Sequence, residues 1–320
     1  MTATSSMTAA AKARENAGRF DPSRVPDTDT GHLWRSFLTA ARLGWLMEAN
    51  WTDPVLFFIY SVAKPLASTF ILVFMLEVIG GAAGRDFRGF VVLGSALWAF
   101  VISGMSGLAQ SILEDRERYR MLKYLYVSPS DFIVVLLGRG VARIGVGAMG
   151  ALITLIVGIV VLGIRFDIGA VDWPLLVLVM IGGLASIVAF GIVMAAVCMQ
   201  TRQEAWSYPE AAAGALFLIV GAVFPLSVLP AAAQVLGLLN PLTWWLGGAR
   251  QALFPGGQTS IGGPGSLFAE VFGHDRPTSG EIIVALLLTG ALVTLASSLI
   301  FRVSDRRAKE QGLIDRTTGT

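Results

Sequence analysis

Charged and aromatic side chains are concentrated in one short polar stretch of the chain, Leu113–Pro129. Its first half is dense in acids and arginines, and its second half places tyrosines and leucines at helical spacing before Pro129 ends the helix. A short helix with an apolar and aromatic face must be buried against a membrane or a soluble protein. We therefore expect a contact surface here, although an ordinary basic loop that only fixes topology would give a similar pattern.

No motif for catalysis, metal binding or nucleotide binding is present in the sequence. The GxxxxGK[ST] loop that cradles ATP phosphates is missing, and His32 and His274 are not in a metalloprotease spacing. No nucleophile–base set appears either. We therefore predict no catalytic residue, no metal site and no cofactor bound by this chain. The small net charge of +2 disfavours nucleic acid as a partner.

One ionisable residue falls inside a long apolar run: Lys64, which precedes Pro65. Charged groups within the membrane are costly and often mark a transport path, which makes Lys64 a candidate. Pairing with a neighbouring helix is the structural alternative, and Pro65 predicts a kink in the helix. The sequence contains no series of buried acids such as a proton-coupled pump requires.

These segments are embedded in an unusually apolar chain of 320 residues, of which 54% are hydrophobic and 14% are charged. Soluble domains contain roughly 25% charged residues. Too few charged residues are available to cover a soluble globule of this length. A disordered chain is also excluded, because low hydrophobicity is the signature of disordered chains and this chain is strongly hydrophobic. The composition therefore indicates an integral membrane protein with several spans.

Six apolar runs have the length of about 20 residues that a membrane-spanning helix needs. They cover approximately residues 54–79, 90–113, 144–164, 174–199, 209–229 and 282–301. We predict an all-α membrane protein with six transmembrane helices, because lipid offers no partner to an unpaired backbone. Lys and Arg are concentrated before the first span, after the second and after the sixth, which places both termini in the cytoplasm.

Two further segments are apolar without spanning the membrane. Residues 32–49 place Arg35, Thr39 and Arg42 in one stripe of an otherwise apolar helix. This pattern fits an amphipathic helix in the cytoplasmic membrane interface, or one packed on a soluble partner. Residues 240–254, between the fifth and sixth spans, are moderately apolar, and we expect a re-entrant or interfacial helix on the outer side.

The chain divides into three predicted parts. Residues 1–31 are polar, and we expect a disordered cytoplasmic tail. Residues 32–305 form the membrane domain. Residues 306–320 form a second cytoplasmic tail.

The order and spacing of these features resemble the permease subunits of ABC exporters of the ABC type-2 family, which includes drug-resistance and polysaccharide exporters. The run Glu114–Arg118, followed by Leu122 and Ser128–Pro129, resembles the cytoplasmic coupling helix of that family. The runs 223–230 and 240–253 resemble the end of its fifth span and its outer re-entrant segment. One departure is Tyr119-Arg120, where many relatives have Gly-Thr.

The resemblance implies a transporter in a plasma membrane, built from two permeases and two ABC ATPase subunits, with ATP and Mg²⁺ bound by the ATPases. Membrane lipid is a further partner. A drug-like, lipid or glycan substrate would leave the cytoplasm or inner leaflet. The implied ATPase-coupling residues are Glu114, Glu117, Arg118, Tyr119 and Leu122. The candidates for translocation or gating are Lys64, Phe224, Pro225 and Asn240.

Two other classes of membrane protein compete with this interpretation. A secondary transporter, coupled to ions or protons, would show inverted repeats with interrupted helices and buried acids, and neither is clear. A membrane enzyme or assembly factor for lipid-linked substrates would need a reactive cluster near the interface, and none is visible. A neighbouring gene that encodes a Walker-bearing ATPase would favour the exporter.

Overall fold

The computed structural model describes residues 30–49, 54–128, 130–164, 166–201 and 205–312, and these residues form helices and turns without a strand. The helices, in chain order, are α1 Thr30–Ala49, α2 Pro54–Asp86, α3 Arg88–Arg118, α4 Leu122–Val127, α5 Phe132–Leu162, α6 Trp173–Gln200, α7 Ser207–Ile219, α8 Ala231–Leu238, α9 Pro241–Leu253, α10 Leu267–Phe272 and α11 Ser279–Glu310. Single 3₁₀ turns lie at Ile168–Ala170 and Leu226–Val228.

Four helices of the described residues are long and apolar enough to cross a membrane: α3, α5, α6 and α11. They confirm the all-helical membrane class and correspond to the second, third, fourth and sixth predicted spans. The first predicted span lies in α2, whose described apolar part, Leu66–Gly81, is shorter than a span. Non-helical backbone in α2 occurs at Gly81. The expected kink beside Pro65 stays a prediction. The described helices thus support four of the six spans.

The prediction of one continuous helix over residues 209–229 is wrong. Helix α7 ends at Ile219 after 13 residues, a length of about 20 Å against a hydrocarbon core of about 30 Å. Gly221 follows with a φ of 76°, which glycine adopts without strain. Pro225 has no N–H to continue the helical ladder. The apolar composition of this run therefore predicted a continuous helix where the structure has a turn.

Helix α5 begins twelve residues earlier than the predicted third span. The side chain of Asp131 caps it by accepting a hydrogen bond from the backbone N–H of Ile133 at 2.8 Å. Arg139 and Arg143 precede the predicted span 144–164 and therefore counted among the Lys and Arg residues that follow the second span, but they lie inside α5. The connection from α3 to α5 shortens to residues 119–131.

The two predicted tails lie only partly in the described residues. Helix α11 continues to Glu310, so the tail predicted from residue 306 begins inside a helix. Of the predicted N-terminal tail 1–31, residues 1–29 lie outside the described residues.

Helix α9 occupies the centre of the bundle, between α3, α6 and α11. All its residues except Gln251 and Leu253 are buried, so this segment is covered by the chain itself, and its predicted interfacial position is not tested by these contacts. The indole of Trp245 packs directly on Gly183 of α6, where a Cβ atom would collide with the ring. Small residues thus let α6 and α9 approach closely, as is common between membrane helices. The re-entrant character of the segment stays a prediction.

Helix α1 packs along the first half of α5 through small side chains. Ala40 and Gly44 face Gly138 and Ala142, and a Cβ atom on Gly44 would lie 3.1 Å from that of Ala142. The helix therefore uses one face for the bundle and leaves a second apolar face, which includes Trp34, exposed. The predicted helix is confirmed, and its place in the membrane interface stays a prediction.

Candidate functional site

The charged half of the stretch Leu113–Pro129 lies inside the helix bundle. Helix α3 continues through Glu114–Arg118 as a π-helical turn. Asp115 is only 3% exposed and forms an ion pair with Arg139 of α5. Arg139 also donates a hydrogen bond to the carbonyl of Ser111 at 3.3 Å. These charges therefore serve the packing of α3 against α5, because a buried charge is stable only when it is paired.

A second arginine of α5 joins three helices. Arg143 donates to both carboxylate oxygens of Glu114, at 3.1 and 3.0 Å. The same guanidinium lies 2.7 Å from the carboxylate of Glu48 in α1. Burial raises the pKa of the Glu48 carboxyl, and the positive charge of Arg143 opposes that rise. Helices α1, α3 and α5 are thus held together by ion pairs.

Arg116 extends this arrangement to α6. Its Nη1 donates to the carbonyls of Cys198 and Thr201, at 3.1 and 3.2 Å, at the C-terminal end of that helix. A cation is favourable there because the last carbonyls of a helix lack partners. Its Nη2 binds Glu117 at 2.9 Å. We call the side chains of these neighbouring ion pairs the arginine network: Glu48, Glu114, Asp115, Arg116, Glu117, Arg139 and Arg143.

A sharp turn separates the arginine network from the short helix α4. Arg120 has a φ of 50°, in the left-handed region that non-glycine residues seldom occupy. Leu122, at the start of α4, is 2% exposed, so its predicted place on an exposed face is wrong. The hydroxyl of Tyr126 donates to Asp305 of α11 at 2.8 Å, and its ring stacks on Phe132. Helix α4 is therefore anchored to α5 and α11.

We expect Tyr126→Phe to lower the free energy of unfolding by about 1 kcal/mol, because one hydrogen bond is lost while the ring remains. Burial and the Asp305 carboxylate both raise the pKa of the Tyr126 phenol, so it stays a donor throughout the working pH range. Thermal unfolding in detergent measures the effect. Tyr208→Phe, at an exposed tyrosine, is the control. Equal unfolding temperatures for Tyr126→Phe and the wild type would contradict the prediction.

The outward side of this connection forms a compact surface of cations, tyrosines and one valine, which we call the docking face. Tyr124 and Val127 are its most exposed apolar members, at 68% and 85%. Their spacing of three residues puts them on one side of α4. The docking face consists of Arg118, Tyr119, Arg120, Lys123, Tyr124 and Val127.

The docking face includes only two of the five predicted coupling residues, Arg118 and Tyr119. Glu114 and Glu117 belong to the arginine network, and Leu122 is in the core. Sequence analysis missed Tyr124 and Val127. Their spacing of three residues indicates a shared helix face. The buried residues between them also occur at helical spacing, so the sequence does not show which face is exposed.

A buried cation outside the arginine network, Arg250, stabilises the break after α7. It belongs to the segment 240–254, which we expected to form a re-entrant or interfacial helix on the outer side, and it is 3% exposed. It donates to the carbonyls of Gly221 and Ala222 at 2.7 and 2.6 Å, and to that of Phe90 at 3.2 Å. Its guanidinium carbon also lies 3.6 Å from the centre of the Phe90 ring. Arg250 therefore replaces the helical hydrogen bonds that end at Ile219.

The four candidates for translocation or gating have different environments. Asn240 is buried and caps α9, since its Oδ1 accepts a hydrogen bond from the N–H of Leu242 at 2.9 Å. Phe224 and Pro225 are partly exposed in the turn that follows the carbonyls bound by Arg250. Lys64 belongs to α2, but its side chain lies outside the described residues.

Comparison with known families identifies the chain. A protein-family model described as ABC-2 type transporter matches residues 37–254, more than half of the sequence. The match extends from α1 to the end of α9 and covers the arginine network, the docking face and Arg250. No individual curated protein matches the chain. Together with four helices able to cross a membrane, the match shows that the chain is a membrane protein that belongs to the ABC-2 type transporter family.

Proposed function

We propose that this protein is the transmembrane permease subunit of an ATP-driven ABC exporter. Membership of the family implies association with an ABC ATPase. In the proposed complex, two permeases associate with two ATPases, and the ATPases bind ATP and Mg²⁺. The proposed cargo is a drug-like, lipid or glycan molecule that leaves the cytoplasm or the inner leaflet of the plasma membrane.

The docking face is the observation that supports this proposal most directly. It exposes two tyrosines, three cations and a valine on the short connection between α3 and α5. Tyrosine and arginine are enriched where protein interfaces bury their strongest contacts. Ordinary basic loops carry charge without a fixed apolar patch, whereas Tyr124 and Val127 project from a helix that Leu122 and Tyr126 fasten to the bundle.

The anchoring of this connection supports its coupling role. Helix α4 is bound to α11 through Tyr126 and Asp305. Ser36 of α1 lies 3.2 Å from Ser130 between their hydroxyl oxygens. The arginine network joins the preceding turn to α1, α3, α5 and α6. A force on the docking face would thus act on several helices together, and alternating access requires such a differential contact in two states.

The same contacts support the proposed topology. They place the start of α1, the docking face and the C-terminal part of α11 at one end of the bundle. An ATPase that contacts the docking face is cytoplasmic, so both chain termini would lie in the cytoplasm. The density of Lys and Arg at this end agrees with that orientation.

We expect Tyr124→Ala and Val127→Asp each to weaken the binding of the ATPase by about tenfold or more. An aromatic hot spot costs about 2 kcal/mol or more when it is truncated, and a carboxylate buried at the contact without a partner carries a desolvation penalty. Both side chains are exposed, so the fold should persist. Binding is measured by co-purification with the partner ABC ATPase. Substrate-stimulated ATP hydrolysis in proteoliposomes gives the functional readout.

Matched controls are available at exposed positions away from the docking face. Tyr208→Ala and Val228→Asp make the same chemical changes at side chains that are 48% and 71% exposed. Binding and stimulation should stay at the wild-type level in both controls. Transport by the purified permease without any ATPase, or unchanged stimulation in Tyr124→Ala and Val127→Asp, would refute the proposal.

A further inference from the structure

An open groove lies between the ends of α6 and α11, on the side of the bundle that carries the docking face. Its volume is about 490 Å³. The α11 wall is formed by Leu299, Ile300 and Val303, followed one turn later by Arg307. Leu299 and Arg307 are eight residues apart, which is about 12 Å along a helix. The groove thus combines an apolar wall with a cation at one end.

Hydrogen bonds between α6 and α11 give the groove a fixed shape. The side-chain amide of Gln200 donates to the carbonyl and the hydroxyl of Ser304, at 2.7 and 3.0 Å. The hydroxyl of Ser304 donates to the carbonyl of Ala196 at 2.8 Å. These polar groups therefore satisfy one another across the floor of the groove. The remaining walls present mainly apolar side chains.

The charge at the mouth of the groove is not compensated by any acid in the part of the chain that the structure describes. Arg306 pairs with Glu310 at 2.8 Å, and Lys309 pairs with Asp305 at 2.7 Å. Asp305 and Glu310 of the same helix are thus both paired with other cations, and among the residues that the structure describes, Arg307 has no acidic partner. An exposed arginine above an apolar channel at the end of a spanning helix attracts a ligand with a negative head and an apolar tail.

We propose that this groove binds one phospholipid with an anionic headgroup. Its phosphate would contact the guanidinium of Arg307, and one acyl chain would lie along Leu299, Ile300 and Val303. This lipid site goes beyond the proposed exporter function and requires only that the chain is embedded in a membrane. Because the groove joins α6 to α11, an occupied site would also hold these two helices together.

The test uses the full-length protein, delipidated in detergent and titrated with phosphatidylglycerol, with bound lipid counted by native mass spectrometry. We expect Arg307→Ala to weaken binding by about tenfold, the effect of losing one charge-assisted contact. Arg302→Ala, an exposed arginine of the same helix that does not line the groove, is the control and should bind as the wild type does. Phosphatidylcholine should bind at least tenfold more weakly than phosphatidylglycerol.

A second variant and a photoreactive lipid test the position of the site. Val303→Trp should fill the groove and abolish stoichiometric binding, while thermal unfolding reports that the protein remains folded. A phosphatidylglycerol with a photoreactive acyl chain should label peptides that contain residues 196–201 and 299–307.

Several results would overturn the proposal. One is an equal loss of phosphatidylglycerol binding in Arg307→Ala and Arg302→Ala. Another is binding of phosphatidylcholine as tight as that of phosphatidylglycerol, and a third is photolabelling of peptides outside residues 196–201 and 299–307. Displacement of the lipid by inorganic phosphate, or occupation of the groove by residues 313–320 or a second copy of the chain, would also exclude it.

Discussion

Replacement of Arg139 with alanine is expected to lower the free energy of unfolding by about 3–5 kcal/mol, the usual cost of breaking a buried ion pair. The change leaves the carboxylate of Asp115 buried without its partner. Arg143 cannot compensate, because it already binds Glu114 and Glu48. The loss should appear as a lower unfolding temperature in detergent and as reduced yield of folded protein.

Two further variants separate the buried pair from a general effect of removing an arginine. Arg306→Ala breaks an exposed ion pair with Glu310 and should cost less than about 1 kcal/mol. The double variant Asp115→Leu with Arg139→Met removes both charges and should recover most of the stability, since apolar residues can replace a buried pair. If Arg139→Ala were no less stable than Arg306→Ala, the network would not hold α3 to α5.

Replacement of Arg250 with alanine is expected to have a similar effect at a second buried polar site, the break after α7. We expect a loss of about 3–5 kcal/mol in the free energy of unfolding. Three carbonyl groups, those of Gly221, Ala222 and Phe90, lose their donor together. The vacated volume beside the Phe90 ring adds a cavity. The carbonyls lie in an apolar interior, where such losses are largest.

Hydrogen exchange locates this effect. Amides in residues 219–228 should exchange faster in Arg250→Ala, while those of α5 stay protected. Arg276→Ala serves as the control, because this exposed arginine makes one long contact, at 3.4 Å, to the carbonyl of Gly256. Arg250→Lys should restore part of the stability, since an ammonium supplies charge but not the planar fork of donors. Unchanged exchange near Gly221 in Arg250→Ala would contradict the role assigned to Arg250.

Hydropathy predicted the spanning helices wherever the apolar run and the helix coincide. The predicted run 174–199 matches α6 within one residue at each end, and the run 282–301 lies within α11. It failed at α5, because Arg139 and Arg143 read as loop residues until their partners on α3 are known. It failed at α7 because apolar content does not distinguish a helix from a buried turn, and only Gly221 and Pro225 marked the difference.

The candidate site was predicted in location but not in its individual contacts. The stretch Leu113–Pro129 was identified from its charge and aromatic content. It holds the docking face and four of the seven residues of the arginine network, whereas Glu48, Arg139 and Arg143 lie elsewhere in the sequence. A periodic pattern shows that residues share a helix face, but not whether the chain itself covers that face. Leu122 and Tyr126 are covered by the bundle, whereas Tyr124 and Val127 are not. That division depends on α11, which is distant in sequence and therefore invisible to local spacing.

Arg250 lies 29 residues after Gly221 along the chain. During biosynthesis the carbonyls at the end of α7 therefore leave the ribosome before the guanidinium that binds them. Lipid cannot satisfy them in the interval. The turn after α7 consequently reaches its final structure only after α9 has been made and has folded back between α3, α6 and α11. The order of translation and the order of assembly therefore differ at this turn.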